Sequence, residues 1–377
     1  MRMGQALPVL LLAYACAANA CASPMPPLRA GSTAHGKLSK TGEDWVLELE
    51  GSPEERGKAA GVLVGGQVRW LLSSYLKKTI SSDHLSPAQK EAVAAIASGI
   101  PASHFAELNA LADAAQVDRT ALFAANLAPE AFSMLACSCL ATLPERSSDG
   151  KVRLARNLDW PGGSVLAGAE LVVVETGAAH RFASFTWPGL LSVVTGMNDA
   201  GLAVADLMAL GVGGKQPRPG IPVLFAVRSM LEQASNLDEA MDWLKSAGRT
   251  IPQNYAIAGV GGARVVETGP GQFRAREVER GLAAITNYWH EETGGAKDPR
   301  YAGMLQAAGE GKLGIPELQA ILGGAALPHG MNVQAVILEP VTRIAHIAHG
   351  KPPVARGAWH TLDLSPWLAG AGQKTPR

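Results

Sequence analysis

The side chains able to do covalent chemistry gather in one stretch, ACSCLATLPERSSDGKVRLARNLDW, residues 136–160. Cys137 and Cys139 stand one residue apart there; the other two of the four cysteines, Cys16 and Cys21, lie near the start of the chain. A disulfide between residues i and i+2 closes a small, strained loop, so the pair is not a structural bridge. A nucleophilic thiol must become a thiolate, held by a positive group or served by a base. Histidine is the usual base, and His290 in NYWHEE and His329 in LPHGMN are the candidates among nine histidines. A metal bound by the C-x-C pair and remote histidines is a second arrangement, but neither C-x-x-C nor H-E-x-x-H accompanies it. A third is a cut in the backbone just before Cys137. The freed α-amine then sits on the same residue as the thiol, and its pKa of roughly 7.7–8.0 makes it a usable base near neutrality.

Short strand-like runs position these residues. CSCLATL and VRLARNLDW are separated by an Asp-Gly turn, and ELVVVET, HRFASFTW, LLSVVTGMN and GLAVADLMAL follow with turn residues between them. Ahead of the cysteines the pattern is helical. SPEERGKAAGVLVGGQVRWLLSSYLKK opens with Ser52 and Glu55 at capping-box spacing, and three more helical stretches fill the chain to residue 135. Beyond GLAVADLMAL, IPVLFAVRSMLEQASNLDEAMDWLKSA reads as two helices and YAIAGVGGARVVET as a hairpin. DPRYAGMLQAAGEG and GIPELQAILGGA are helical, and VQAVILEP with TRIAHIAHG forms a last hairpin. Strands in runs with helices in runs between them argue an α+β layered fold.

With 33 basic and 33 acidic residues, the charge balance gives no reason to expect nucleic acid as a partner. Charged residues are 18% and apolar ones 47% of the chain, enough for a large core. Residues 1–22 read as a secretory signal: Arg2, a short apolar run, then small residues ending in Ala-x-Ala. Either signal peptidase cuts there, or Cys21 in AANAC becomes a lipidated N-terminal cysteine, although Ala18 stands where a branched apolar residue is usual. Both outcomes export the protein, to the periplasm or to a membrane as a lipoprotein. Residues 23–42 read as an exposed tether. No later run of about 20 apolar residues is present, so the body is expected to be soluble.

The segments ACSC-L and ARNLDWP resemble the cysteine N-terminal-nucleophile (Ntn) hydrolases of the acyl-CoA:6-aminopenicillanate acyltransferase-like branch. Bile-salt hydrolases, acid ceramidase and N-acylethanolamine amidase are more distant relatives. LEGSPEERGKAAG, PGLLSVVTGMNDAGLAV, VRSMLEQASNLDEAM, NYAIAGVGGARVVE, AAITNYW and VILEP support the same resemblance. It implies a four-layer αββα sandwich over residues 43–377. It also implies self-cleavage between Ala136 and Cys137, leaving a helical α fragment (43–136) and a catalytic β fragment (137–377) that stay together. Cys137, followed by Ser138, matches the nucleophile, and Cys139 is a small strand residue that strand geometry keeps on the same face.

The resemblance further assigns Arg156 to the thiolate, Asp159 to the α-amine, and Asn287 in ITNYW to the oxyanion hole. Asn157, taken to face away from Arg156 and Asp159, is structural or substrate-side. One departure is Met208, which stands near where bile-salt hydrolases carry an asparagine and cannot donate a hydrogen bond. A backbone N–H then fills that role, or Asp206 lines the site. Trp160, Trp187 with Pro188 and Gly189, and Asn254 are expected near the substrate; the bland readings are a turn for Trp187-Pro188-Gly189 and a strand start for Asn254. The implied function is an exported, self-processing amidohydrolase or acyltransferase acting on an acyl amide or thioester, with no cofactor and no metal. A secreted ligand-binding lipoprotein and a C-x-C redox or metal protein are the alternatives.

Overall fold

The computed structural model describes residues 24–76, 86–131, 136–160, 163–176, 179–210, 212, 219–276, 278–290, 298–328 and 330–369. The signal segment, Cys21 and His329 lie outside them. The strands are, in chain order, β1 (Gly31–Thr33), β2 (Gly36–Thr41), β3 (Asp44–Leu49), β4 (Ala136–Thr142), β5 (Arg153–Asp159), β6 (Leu171–Glu175), β7 (Phe182–Thr186) and β8 (Thr195–Asn198). They continue as β9 (Leu202–Met208), β10 (Gln253–Gly259), β11 (Gly262–Gly269), β12 (Gln272–Arg276), β13 (Leu282–Ile285), β14 (Asn332–Glu339), β15 (Ile344–His349) and β16 (Ala358–Asp363). The longer helices are α1 (Pro53–Leu71), α2 (Pro87–Ala97), α3 (Ala102–Ala115), α4 (Arg119–Asn126), α5 (Val223–Gln233), α6 (Leu237–Ser246), α7 (Pro299–Ala308) and α8 (Ile315–Ala325).

The strands form two sheets. One has ten strands in the order β1-β2-β3-β6-β7-β8-β9-β10-β11-β12, the other six in the order β13-β4-β5-β14-β15-β16. The β3–β6 pairing is parallel. Successive side chains in a strand leave opposite faces, and this splits the apolar residues between layers. On β6, Val172 and Val174 enter the core between the sheets, whereas Leu171 and Val173 pack under α1, α3 and α4. On β14, Val336 and Leu338 enter the same central core, whereas Ala335 and Ile337 meet α7 and α8. Helices α5 and α6 cover the β9–β11 region of the larger sheet. The result is helix, sheet, sheet, helix: the αββα sandwich.

Local signals hold where they are strongest. Ser52 caps α1 in a reciprocal box, its Oγ accepting from Glu55 N (3.3 Å) while its own N–H donates to Glu55 Oε2 (2.8 Å). Residues 23–42 are not simply a tether: β1 and β2 pair with each other, and β2 pairs with β3 across the edge of the larger sheet. The alternation in GKLSKT was masked by its Gly, Ser and Lys content, and the pairing partner β3 supplies what composition lacks. The helical layer is tied to the sheet by buried ions. Arg228 of α5 reaches Glu107 of α3 (2.6 Å) and Glu175 of β6 (2.5 Å), and Arg56 of α1 shares both carboxylates at 2.9 and 3.2 Å.

Candidate active site

Cys137 is the second residue of β4, and its neighbours follow from the ladders around it. In the β4–β5 pairing, Cys139 faces Arg156 and Ala136 faces Asp159. In the β13–β4 pairing, Ile285 faces Cys139, so the chain two residues past Ile285 draws level with Cys137. Asn287 is that residue, and its Oδ1 accepts from Cys137 N at 2.7 Å.

Arg156 is the electrostatic centre. It is 1% exposed, and its Nη2 donates to Cys137 Sγ at 3.5 Å. The same Nη2 faces the Asp206 carbonyl (3.0 Å) and Asp206 Oδ1 (3.4 Å), and Nη1 donates to Thr195 Oγ1 (2.6 Å). Cys139 faces the same guanidinium, as residues i and i+2 of one strand must. Burial pushes the Cys137 thiol up to about 12, and the Arg156 charge opposes that without cancelling it. In the continuous chain the sulfur is therefore protonated at neutral pH, and a proton acceptor has to be provided.

Two buried acids feel the guanidinium charge. Asp206 spends Oδ1 on Arg156 and Oδ2 on Gln253 Nε2 (2.6 Å). It is a buried partner of Arg156. Asp159 accepts from Leu327 N (3.2 Å) and Asn332 Nδ2 (3.1 Å) through Oδ1. Its Oδ2 is buried with no hydrogen bond and lies 3.8 Å from Arg300 Nη1. Burial raises both carboxyls to about 6.

Three expectations change in detail. Asn287 does not present a free amide: its Nδ2 donates to Met208 O (3.0 Å), leaving the second N–H of that nitrogen for an oxyanion. Met208 thus takes part through its carbonyl and not its side chain. Asn254 donates through Nδ2 to Thr286 O (3.0 Å) and Tyr288 O (3.4 Å), the residues on either side of Asn287, while its Oδ1 is buried without a hydrogen bond. Asn157 shares Asp159's side of the strand, two residues away, and donates to Leu322 O (2.8 Å) in α8; its role there is to tie strand to helix.

Arg300 was missed by the sequence reading. Its Nη1 donates to Cys137 O (3.1 Å) and its Nη2 to Asn287 Oδ1 (3.0 Å). It is the second residue of α7, where a cation opposes the helix dipole. Asp298, the N-cap, offsets that charge at 2.9 Å. A positive residue placed against the dipole is a local conflict that could have marked it.

Trp160 and Trp187 stand 6.0 Å apart between ring centroids. With Leu71, Leu122, Leu166 and Leu190 they line an almost wholly apolar cavity that is partly open to solvent. Trp160 directly follows Asp159, so this cavity lies at the nucleophile's end of β5, although Cys137 itself is not in its wall. Among the described residues no histidine bonds the sulfur; the His290 ring packs on Tyr301, with centroids 5.3 Å apart. Both cysteines are free, and no third donor joins them in a ligand cluster among the described residues.

Residues 146–301 match the acyl-coenzyme A:6-aminopenicillanic acid acyl-transferase family. That span holds Arg156, Asp159, Asn287 and Arg300 and begins after Cys137. It is the branch that the ACSC and ARNLDWP segments resemble. An uncharacterized protein of Archaeoglobus fulgidus is 23% identical over 62% of this chain and 45% of its own. Protein dcd1B of Dictyostelium discoideum is 24% identical over 59% of this chain and 50% of its own. The chain thus spans about half the length of these curated relatives. Among solved structures, a Caenorhabditis elegans N-acylethanolamine-hydrolyzing acid amidase ortholog aligns at 16% identity and TM-score 0.46, over 54% of this chain and 93% of that one. A mutant of the conjugated bile acid hydrolase from Clostridium perfringens aligns at 13% and 0.44, over 64% and 96%.

Proposed function

We propose that this chain, similar to the acyl-coenzyme A:6-aminopenicillanic acid acyl-transferase family over residues 146–301, is an exported Ntn amidohydrolase or acyltransferase that cuts itself before Cys137. The observation that carries the reading is the convergence on one residue. Arg156 meets the Cys137 sulfur, Asn287 its nitrogen and Arg300 its carbonyl oxygen.

In the precursor the Cys137 thiol attacks the Ala136 carbonyl, and water hydrolyses the resulting thioester. The nitrogen released is the atom that Asn287 Oδ1 already holds. Both fragments remain one body, because β3 of the first pairs with β6 of the second and their apolar faces share a core. In turnover the α-amine takes the thiol proton, and the Arg156 charge favours the thiolate. The sulfur adds to an amide or thioester carbonyl, and the second N–H of Asn287 is available to the oxyanion. The amine then protonates the leaving group, and water or an amine resolves the acyl-enzyme. The cavity beside Trp160 and Trp187 suits an apolar acyl chain. Export, by plain secretion or through a lipid on Cys21, belongs to the same proposal.

Mass spectrometry of the N-termini of purified protein, with an acyl-amide and acyl-thioester panel, tests this. The expected result is a fragment beginning Cys-Ser-Cys and a Cys137→Ala chain that stays whole and loses activity by roughly 10⁴-fold or more. A wild-type chain that is active without being cut overturns it, as does a whole chain that binds acyl compounds and never turns them over.

A further inference from the structure

We propose that Asp44, His349 and His360 form a binding site for a divalent transition metal of the zinc class. The sequence reading expects no metal, because the arrangement it weighs, the paired cysteines with remote histidines, comes without a C-x-x-C or H-E-x-x-H motif. These three donors come from distant positions and meet only in the folded sandwich.

Register brings them together. In the β15–β16 ladder Ile347 faces His360 and His349 faces Ala358, so both imidazoles leave the same face of the smaller sheet. Their rings stack with centroids 4.3 Å apart. Asp44, the first residue of β3 in the larger sheet and 5% exposed, meets both. Its Oδ1 lies 3.2 Å from His349 Nε2, its Oδ2 2.7 Å from His360 Nε2, and the two nitrogens are 3.3 Å apart.

These separations are those of a coordination shell. Zinc ligands sit about 2.0–2.1 Å from the ion, and a tetrahedron of that size has edges of about 3.3–3.4 Å. The two imidazole nitrogens are already at that separation, and Asp44 Oδ1 is close to it from His349; each Asp44 oxygen now leans to a different histidine, and a small rotation of the carboxylate turns one oxygen toward both. Two histidines and one carboxylate form a three-ligand set that leaves a fourth position open. Mixed nitrogen and oxygen donors favour zinc-class ions over calcium or magnesium, which prefer oxygen alone. The rival arrangement is a hydrogen-bonded clamp in which each Nε2–H donates to its own Asp44 oxygen. That places two N–H groups side by side at the same 3.3 Å.

An approach exists. Asp44 and His349 line a partly open cavity together with Glu43 and Glu170, so an entering cation meets two further acidic side chains. A bound ion would join β3 of one sheet to β15 and β16 of the other. Binding only the folded chain, it would raise stability by mass action. The site shares no residue with the Cys137 constellation, so it stands or falls apart from the proposed activity.

The test uses the full chain, stripped with a chelator and titrated with Zn²⁺ and with Co²⁺. The expected result is about one equivalent bound, a Tm that rises with Zn²⁺, and visible Co²⁺ bands of tetrahedral type without a thiolate charge-transfer band. Asp44→Asn and His360→Ala should each lower bound metal to about a tenth of an equivalent or less, with circular dichroism matching the stripped wild type. Cys137→Ala should keep the full equivalent. If a ligand variant fails to fold, the wild-type Co²⁺ spectrum still decides, because a thiolate band or no spectrum overturns the proposal. Metal retained in both ligand variants, or lost in Cys137→Ala, overturns it too.

Discussion

The backbone N–H of Cys137 donates to the Asn287 side-chain oxygen at 2.7 Å, across 150 residues of sequence. Arg300 donates to that same oxygen and to the Cys137 carbonyl, so the peptide unit carrying the thiol is fixed from two sides. A nitrogen held this way would keep its place if the preceding bond were cut, and would be oriented as a base without rearrangement.

Arg156→Gln should harm both stability and thiol chemistry. It removes the ion partner of Asp206, whose carboxylate is then buried without a counter-charge, at a cost of about 3–5 kcal/mol. It also removes the cation that opposes burial at Cys137, so the pH at which iodoacetamide alkylates that thiol should rise. Adding Asp206→Asn should restore part of the stability and none of the alkylation rate; urea unfolding and alkylation kinetics measure the two separately. Full recovery of both would show that Arg156 has no action on the sulfur.

Asp159 should make its own pH signature. Burial raises its folded pKa to about 6, above the roughly 3.9 of an unfolded aspartate. Below about pH 4 both states are protonated and nothing is lost. As pH rises through 4 to 6 the unfolded chain ionises first, so stability falls by about 3 kcal/mol and then levels off. Wild type minus Asp159→Asn, measured by denaturant unfolding at several pH values, should therefore fall across that window. If the ionised carboxylate holds the amine, kcat/KM should rise through about pH 6 in wild type. A stability difference that grows with pH would contradict the burial argument.

Asn254 holds the carbonyls on either side of Asn287, and a positioning role is expected of it. Asn254→Ala leaves the carbonyls of Thr286 and Tyr288 without their donor, which should cost about 1–3 kcal/mol. It should lower kcat by roughly 10–100-fold with little change in KM, since ground-state contacts to the acyl chain remain. A change confined to KM would put Asn254 against substrate instead.

Trp187→Ala should open the apolar cavity. The loss of a buried aromatic costs about 3–5 kcal/mol in stability, and the lost wall should raise KM for medium acyl chains more than for acetyl. Initial rates over an acyl-length series measure it, and an equal change at every length would separate this cavity from the acyl site.

Much of this protein is legible from residues alone. The Ser52–Glu55 box starts α1 because its donors and acceptors are local, and α5 and α6 follow a 3.6-residue apolar period that needs no partner to be seen. Cys137, Arg156 and Asp159 could be paired in advance through the resemblance of ACSC and RNLDW to a known family, and the β4–β5 register brings their strands together. The sequence by itself thus determined most of the element types beyond residue 42, the layered α+β class and the candidates for the half of the site that is close along the chain. Only the tertiary structure decided what Asn254 and Asp206 support, that Arg300 reaches Cys137, and that Asp44 meets two histidines about three hundred residues away. The reason is physical: periodicity and capping are set within a turn or two of backbone. Which polar groups satisfy one another across β-ladders depends on register between segments whose separation in sequence carries no trace of it.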